Sequence, residues 1–432
     1  MNGRALTSRR VRILARRHGP ASLLWRRRFA TVIGAVLVGV VALIFARAAD
    51  EAMALFGRAT AYFPWLPMAV TPVGVFALAA VTSWWIPEAR GSGIPQVIAA
   101  ARDANGPIGA LISLKTGFAK LIMTLAALLV GASVGREGPT VQVSASILAK
   151  VHRMFRVPIT AGVIIAGGAA GVAAAFNTPL AGVSFAIEEL ANAFEQRVTM
   201  LVMTAILISG MVSLGIAGDY VYFGALPATL PVSRVLIIAP IAGFVGGIAG
   251  GSFARLILTV TRHRRRLLGP LAARPLLWAF LCGLGIALIG IATGMTWGTG
   301  YGASKAIIEG APAPWYFGPA KFAATTLSTL AGMPGGIFSP SIATGAGLGN
   351  SLCLLFPHDP RGAIVLLGMI AYFTGVVRAP LTAVIIVMEV TASRGMIIPL
   401  FASAVIADAS AQLICKEKLY HGLAREFLTA AA

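Results

Sequence analysis

Long uncharged runs alternate with short polar islands along this chain, and several runs have the length of a membrane span. Residues 31–48 and about 67–86 read as full helices. About 20 apolar residues, rising 1.5 Å each, cross a hydrocarbon core roughly 30 Å thick. The connection between these two runs carries Asp50 and Glu51. From there to about residue 195 the apolar stretches are shorter and are cut by Gly and Pro. Pieces too short to cross alone are tolerated where they line a protein-enclosed site. Further apolar segments fall near 198–216, 232–258, 276–294, 316–332, 339–356, 362–376, 379–391 and 396–414. The pattern predicts an all-α polytopic membrane protein of broken and tilted helices.

The pattern also occurs twice. At a constant offset of 201, Gly135 pairs with Gly336, Pro139 with Pro340, Pro179-Leu180 with Pro380-Leu381, Val183 with Val384 and Glu188 with Glu389. Charge sets the orientation of the two copies. The basic stretch 16–28 maps onto 217–229, which holds Asp219 and no Lys or Arg. The basic cluster 262–266 maps onto 61–65, in the connection that opens with Asp50 and Glu51. Equivalent positions of opposite charge character belong on opposite sides of the membrane, because basic residues stay inside. The result is an inverted-topology repeat. Its expected parts are a basic cytoplasmic tail (1–30), a first repeat (31–216), a connecting loop (217–231), a second, inverted repeat (232–414) and a C-terminal helix carrying Tyr420 (415–432). With 12 residues after Tyr420, no cytoplasmic regulatory domain is expected.

Composition strengthens the membrane assignment. Of 432 residues 57% are hydrophobic and only 12% charged, against about 25% charged in soluble domains. The net charge of +20 suggests nucleic acid at first. The arginines, however, flank hydrophobic segments, as Arg9 to Arg28 and Arg262 to Arg266 do, and topology explains them better. No nucleic-acid partner is expected. Residues 29–48 resemble a signal peptide, but the basic region is too long and the run is of spanning length. Cys282, Cys353 and Cys415 are scattered in or beside apolar runs and give neither a disulfide framework nor a metal spacing. No metal and no cofactor is expected.

Candidate chemistry lies in four islands. Gly135-Arg136-Glu137-Gly138-Pro139 sits between the uncharged residues 121–135 and 138–149. An ionisable pair at membrane depth is costly, so it marks a functional site or a structural pair closing a helix end. The others are Gly91-Ser92-Gly93-Ile94-Pro95, Gly335-Gly336-Ile337-Phe338-Ser339-Pro340 and Lys418-Leu419-Tyr420. Pro suits the first turn of a helix and Gly lets backbone approach a ligand. Three islands therefore read as helix N-termini whose N–H groups and positive dipole ends suit an anion. Ser and Tyr hydroxyls add donors without a full charge that would trap a permeant ion.

These islands, with Ala174-Ala175-Phe176-Asn177-Thr178-Pro179-Leu180-Ala181-Gly182, resemble the CLC family of chloride channels and transporters over about residues 30 to 425. The likeness is greatest to prokaryotic proton-coupled antiporters that lack CBS domains. The resemblance implies a homodimer in the cell (inner) membrane with one pore per subunit. It implies chloride bound by the Ser92 and Tyr420 hydroxyls and the N–H groups of Ile337 and Phe338. Glu137 matches the family's gating glutamate and Glu189 its internal proton-transfer glutamate. Glu188 has a repeat partner in Glu389, which suggests a structural role, whereas Glu189 pairs with Val390. The bland alternative for Glu189 is a carboxylate at a helix end facing cytoplasm. Arg136 and Lys120 are expected to support the site, with Gly91, Gly93, Pro95, Gly135, Gly138, Pro139 and Gly336 shaping it. Gln96 and Ile98 depart from acidic residues often found after G-S-G-I-P. A fluoride-preferring branch departs from the Ser/Tyr pattern, so Ser92 and Tyr420 favour chloride.

The expected activity is therefore proton/chloride antiport across a lipid bilayer, with no enzymatic reaction. The alternative is a passive voltage- or pH-gated chloride channel, which shares every feature except the need for Glu189. An intramembrane serine hydrolase is suggested by Gly131-x-Ser133-x-Gly135. That motif needs a His base in reach. The histidines, His18, His152, His263, His358 and His421, read as lying in connections or at the tail. Gly345-Ala346-Gly347-Leu348-Gly349 looks like a nucleotide loop, and close helix packing explains it better.

Overall fold

The computed structural model describes residues 3–102, 107–190, 196–218, 223 and 229–429. Among them are eighteen α-helices and no β-strand. The first half runs α1 (Gly3–Tyr62), α2 (Pro67–Trp85), α3 (Ile94–Arg102), α4 (Leu114–Leu129), α5 (Glu137–Met154), α6 (Ala161–Phe176), α7 (Pro179–Phe185) and α8 (Gln196–Ala217). The second runs α9 (Val232–Arg262), α10 (Arg264–Leu268), α11 (Pro275–Thr293), α12 (Tyr301–Ile308), α13 (Phe317–Leu330), α14 (Phe338–Leu352), α15 (Arg361–Val377), α16 (Pro380–Thr391) and α17 (Ile397–Ile414). The short α18 (Leu419–Thr429) follows. Among the described residues, six helical segments are long and apolar enough to span a bilayer, including Ser22–Tyr62, Pro67–Trp85 and Val232–Arg262.

The repeat is built into the packing. Gly162–Phe176 of α6 and Ala363–Val377 of α15 are buried at every position, and 201 residues separate them. Helices apolar all round belong in a core. Both end on a left-handed residue, Asn177 (φ 58°) and Arg378 (φ 62°), again 201 apart. Asn tolerates that conformation readily; Arg does so at a cost. Asp408 Oδ1, 2.6 Å away, and the Cys415 carbonyl hold Arg378 in place. The two halves then cap each other. Glu188 accepts from the N–H groups of Leu381 and Thr382 at the start of α16, and Glu389 accepts from Ala181 N–H at the start of α7. Carboxylates at helix N-termini satisfy free donors and favour the dipole. Such reciprocal contacts require a two-fold relation between the halves.

Close helix approach explains the Gly345-x-Gly347-x-Gly349 stretch, which lies inside α14. A Cβ at Gly347 would fall 2.5 Å from the Gly318 backbone of α13, and one at Gly349 2.6 Å from Val365 of α15. One expectation is corrected. Asp50 and Glu51 are not in a loop but inside α1, which continues to Tyr62. Their neighbours are good helix formers, and the first Pro after them is Pro64. The same helix takes in residues 3–30. Asp219 lies outside the described residues, as does most of 217–231.

Continuity of α1 sharpens the expected topology. Twenty-two residues separate Arg28 from Asp50, roughly 33 Å of helix and thus about one hydrocarbon thickness. Cysteine-accessibility labelling is expected to find residue 10 and the 262–266 cluster on the cytoplasmic side and Asp50 outside. Labelling of Asp50 and residue 10 from one side overturns the inverted arrangement.

Candidate functional site

Three of the islands meet in space because backbone hydrogen bonds join them. Gly135 and Gly336 exchange N–H···O bonds of 2.7 and 2.8 Å as an antiparallel bridge. Gly91 N–H donates to Met333 C=O, and Gly335 N–H donates to Gly91 C=O. Helices α3, α5 and α14 start in these islands, with Pro95, Pro139 and Pro340 in their first turns. Contact is close enough to demand Gly. A Cβ on Gly138 would lie 2.4 Å from Ser92 Oγ, and Gly93 (φ 109°) faces the Gly138 carbonyl at 2.6 Å from its own Cβ position.

Glu137 is fully buried at the start of α5. Its Oε1 accepts a 2.6 Å bond from the Ser339 hydroxyl in the first turn of α14. Its Oε2 is buried and has no hydrogen bond. The carboxylate thus reaches across to the helix N-terminus of the other half, where an anion is favoured. Arg136 does not pair with it. Its Nη1 forms an ion pair with Asp50 Oδ1 at 2.6 Å and donates to the Ala46 carbonyl. Among the described residues no ion pair links Arg136 to Glu137.

The Ser92 and Tyr420 hydroxyls are also buried and face each other, with no other hydrogen-bond partner. Two buried hydroxyls beside a helix N-terminus suit an anionic substrate, because both can turn their protons toward it. Phe338 closes this region. Its ring packs on Phe373 (5.1 Å between centroids), Tyr420 (5.8 Å), Phe185 (5.9 Å) and Phe176 (6.4 Å). A cavity of about 250 Å³ reaches Ser92 and Ile337 from the side of Arg90, Arg264 and Glu426. A second, of about 490 Å³, reaches Arg136 past Arg47 and Asp50. Burial pushes the Glu426 carboxyl up, against the opposing charge of Arg90, which lies 3.3 Å away.

Lys120 is buried and donates to the carbonyls of Ala89 (2.7 Å) and Gly91, fixing the first island from below. Its counterpart 201 residues on, Lys321, does the same for Thr296 and Gly298 (2.9 and 2.7 Å). The repeat offset could have found Lys321. Gln96 donates to Arg90 and Glu88 carbonyls, so it ties the same turn without a charge. Glu189 lies in a π-turn (Ala186–Leu190) after α7. It is buried, with Lys418 Nζ at 3.7 Å and His421 Nδ1 at 3.4 Å. π-turns are frequent at functional sites. No motif in the sequence links Glu189 to either neighbour, both of which lie more than 200 residues away.

The hydrolase arrangement is absent among the described residues. Ser133 Oγ bonds Thr325 Oγ1 at 3.0 Å, and its N–H bonds Ser328. His152, expected in a connection, is buried in the last turn of α5 beside Thr31 and the Leu148 carbonyl.

A many-helix membrane fold whose broken helices converge on an anion-suited centre is that of an ion-transport protein. The family model for voltage gated chloride channels matches residues 73–412, and the chain belongs to that family, the CLC proteins, which transport anions and are not enzymes. Solved structures share the fold. A slow cyanobacterial Cl⁻/H⁺ antiporter aligns with TM-score 0.80 at 24% identity, covering 94% of this chain and 98% of that one. A CLC-type fluoride/proton antiporter aligns with TM-score 0.77 at 23% identity, covering 91% and 96%. A eukaryotic CLC transporter aligns with TM-score 0.71 at 22% identity, covering 93% of this chain and 74% of that one.

Proposed function

We propose that this integral multi-pass membrane protein is a proton/chloride antiporter of the cell (inner) membrane, working as a homodimer with one pore per subunit. The reading rests chiefly on Glu137, a buried carboxylate seated at the N-terminus of α14 with one oxygen on Ser339 and the other unbonded. Ionised, it occupies ground that suits a permeant anion. Protonated, it loses the charge that holds it there and leaves, so chloride admission and proton release become linked. Ser92, Tyr420 and the N–H groups of Ile337 and Phe338 would hold the chloride. Glu189 would carry the proton on toward the side of the Arg262–Arg266 cluster, where Glu417 bonds Arg262 and so fixes the start of α18. Antiport rather than passive conduction is favoured because Glu189 is a second buried carboxylate, with Lys418 and His421 beside it. The Ser/Tyr pair favours chloride over fluoride.

Ser92→Ala and Tyr420→Ala are each expected to weaken chloride binding in a folded protein. Each removes one donor to a partly dehydrated ion, worth roughly 0.5–1.5 kcal/mol for an ordinary bond and about 1.5–3 for a charged acceptor. Calorimetric titration with chloride reads the loss, and unchanged affinity in both variants argues against the anion site. Reversal potentials in a proton gradient separate the exchanger from a channel: a passive chloride pore ignores the proton gradient.

A further inference from the structure

The surroundings of Glu189 contain a histidine supplied by the C-terminal helix α18. His421 follows Tyr420 in the first turn of α18, and its Nδ1 points at Glu189 Oε1 from 3.4 Å. That nitrogen is buried and makes no hydrogen bond. Exposure falls stepwise along the approach. The side chain of Lys418 is 33% exposed, that of His421 22%, and that of Glu189 0%. Lys418 stands on the other carboxylate oxygen at 3.7 Å, but its ammonium already donates to the Glu188 carbonyl. That bond ties it to the backbone. An imidazole is different, since it takes and gives a proton within the range of pH that cells experience. Tyr420 also faces Glu189, and its phenol keeps its proton in that range.

We propose that His421 is the proton-handling partner of Glu189 on the inner side: it collects a proton from water at the partly exposed end of α18 and passes it to the buried carboxylate. The inference rests on the reading of Glu189 as the internal proton carrier. In the forward step the Nδ1–H bond of the imidazolium breaks, an O–H bond forms at Glu189 Oε1, and the ring is left neutral. Water on the inner face then reprotonates the ring. In the reverse direction the ring accepts the proton from Glu189 and releases it to water. The gap of 3.4 Å suits a transfer distance that small side-chain motion closes.

Proton and chloride fluxes recorded together in proteoliposomes test this, with pH varied only on the face of the Arg262–Arg266 cluster, over about pH 5 to 8. Four samples are compared: the unaltered protein, Glu189→Gln, His421→Ala and His421→Ala with imidazole added on that face. In His421→Ala, proton flux is expected to fall about tenfold or more, a modest share of what proton-transfer groups contribute. Its dependence on inner pH is expected to lose the rise through the imidazole range, and added imidazole to restore both. Continued chloride flux reports a folded protein. Unaltered proton flux and pH profile in His421→Ala, with proton flux abolished in Glu189→Gln, overturn the role of His421 and leave that of Glu189. A slowed variant that imidazole does not rescue also overturns it, because the ring is then structural. Persisting proton flux in Glu189→Gln removes the reading beneath.

Discussion

Glu137→Gln is expected to pass chloride without exchanging a proton for it. The amide keeps the shape of the protonated acid and carries no charge, so it no longer competes with an anion at the start of α14. It also cannot deliver a proton. The structural alternative, an ion pair with Arg136, predicts something else, since breaking a buried pair typically costs about 3–5 kcal/mol. Arg136 instead pairs with Asp50, and the bond recorded for Glu137 comes from the Ser339 hydroxyl. Replacing that charge-assisted bond, worth about 1.5–3 kcal/mol, by an ordinary one of about 0.5–1.5 leaves the protein folded. Glu137→Ala is expected to behave alike and to bind an additional anion in the freed space. Thermal stability and both fluxes measured on one reconstituted sample read the difference. A destabilised protein with both fluxes lost favours the structural role.

Glu189→Gln is expected to abolish proton movement while chloride continues to pass. Gln fills the same buried volume in the π-turn and cannot carry a proton. Lys418 and His421 are left without a carboxylate, yet both keep contact with water, so the loss of the partner does not bury a bare charge. Glu188→Gln is expected to act on stability rather than coupling. Glu188 takes two N–H donors and one hydroxyl at the start of α16, and caps of this kind are worth about 0.5–2 kcal/mol. Simultaneous flux recording on both variants, with melting curves, checks the pair. Uncoupling by Glu188→Gln alone reverses the assignment.

Much of this architecture is readable along the chain because membrane helices announce themselves by uncharged length. The run at 362–376 became α15 (Arg361–Val377), and that at 198–216 became α8 (Gln196–Ala217). Gly and Pro marked the starts of α3, α5 and α14 because those residues suit a first turn and a close approach. The offset of 201 relates Gly135 to Gly336, which the fold joins by a backbone bridge, and relates Lys120 to Lys321, whose common role shows only in the fold. Charge misled at Asp50, where an acidic pair suggests a loop although the helix simply continues and lends Arg136 its partner. Contacts between distant segments left no local trace. Ser339 and Glu137 are 202 residues apart, and only the folded chain brings His421 to Glu189. The aromatic packing around Phe338 is of the same kind, since each ring reads alone as an ordinary core residue.

The central claim is that chloride and protons are exchanged through one buried carboxylate. Proteoliposomes loaded with high chloride, diluted into low chloride at equal pH on both sides, test it most directly. Chloride leaving down its gradient is predicted to drive protons into the vesicles, acidifying them against the growing proton gradient. Glu137→Gln is predicted to release chloride and leave the internal pH unchanged. Chloride efflux with no proton uptake in the unaltered protein, or uphill acidification that survives in Glu137→Gln, contradicts it.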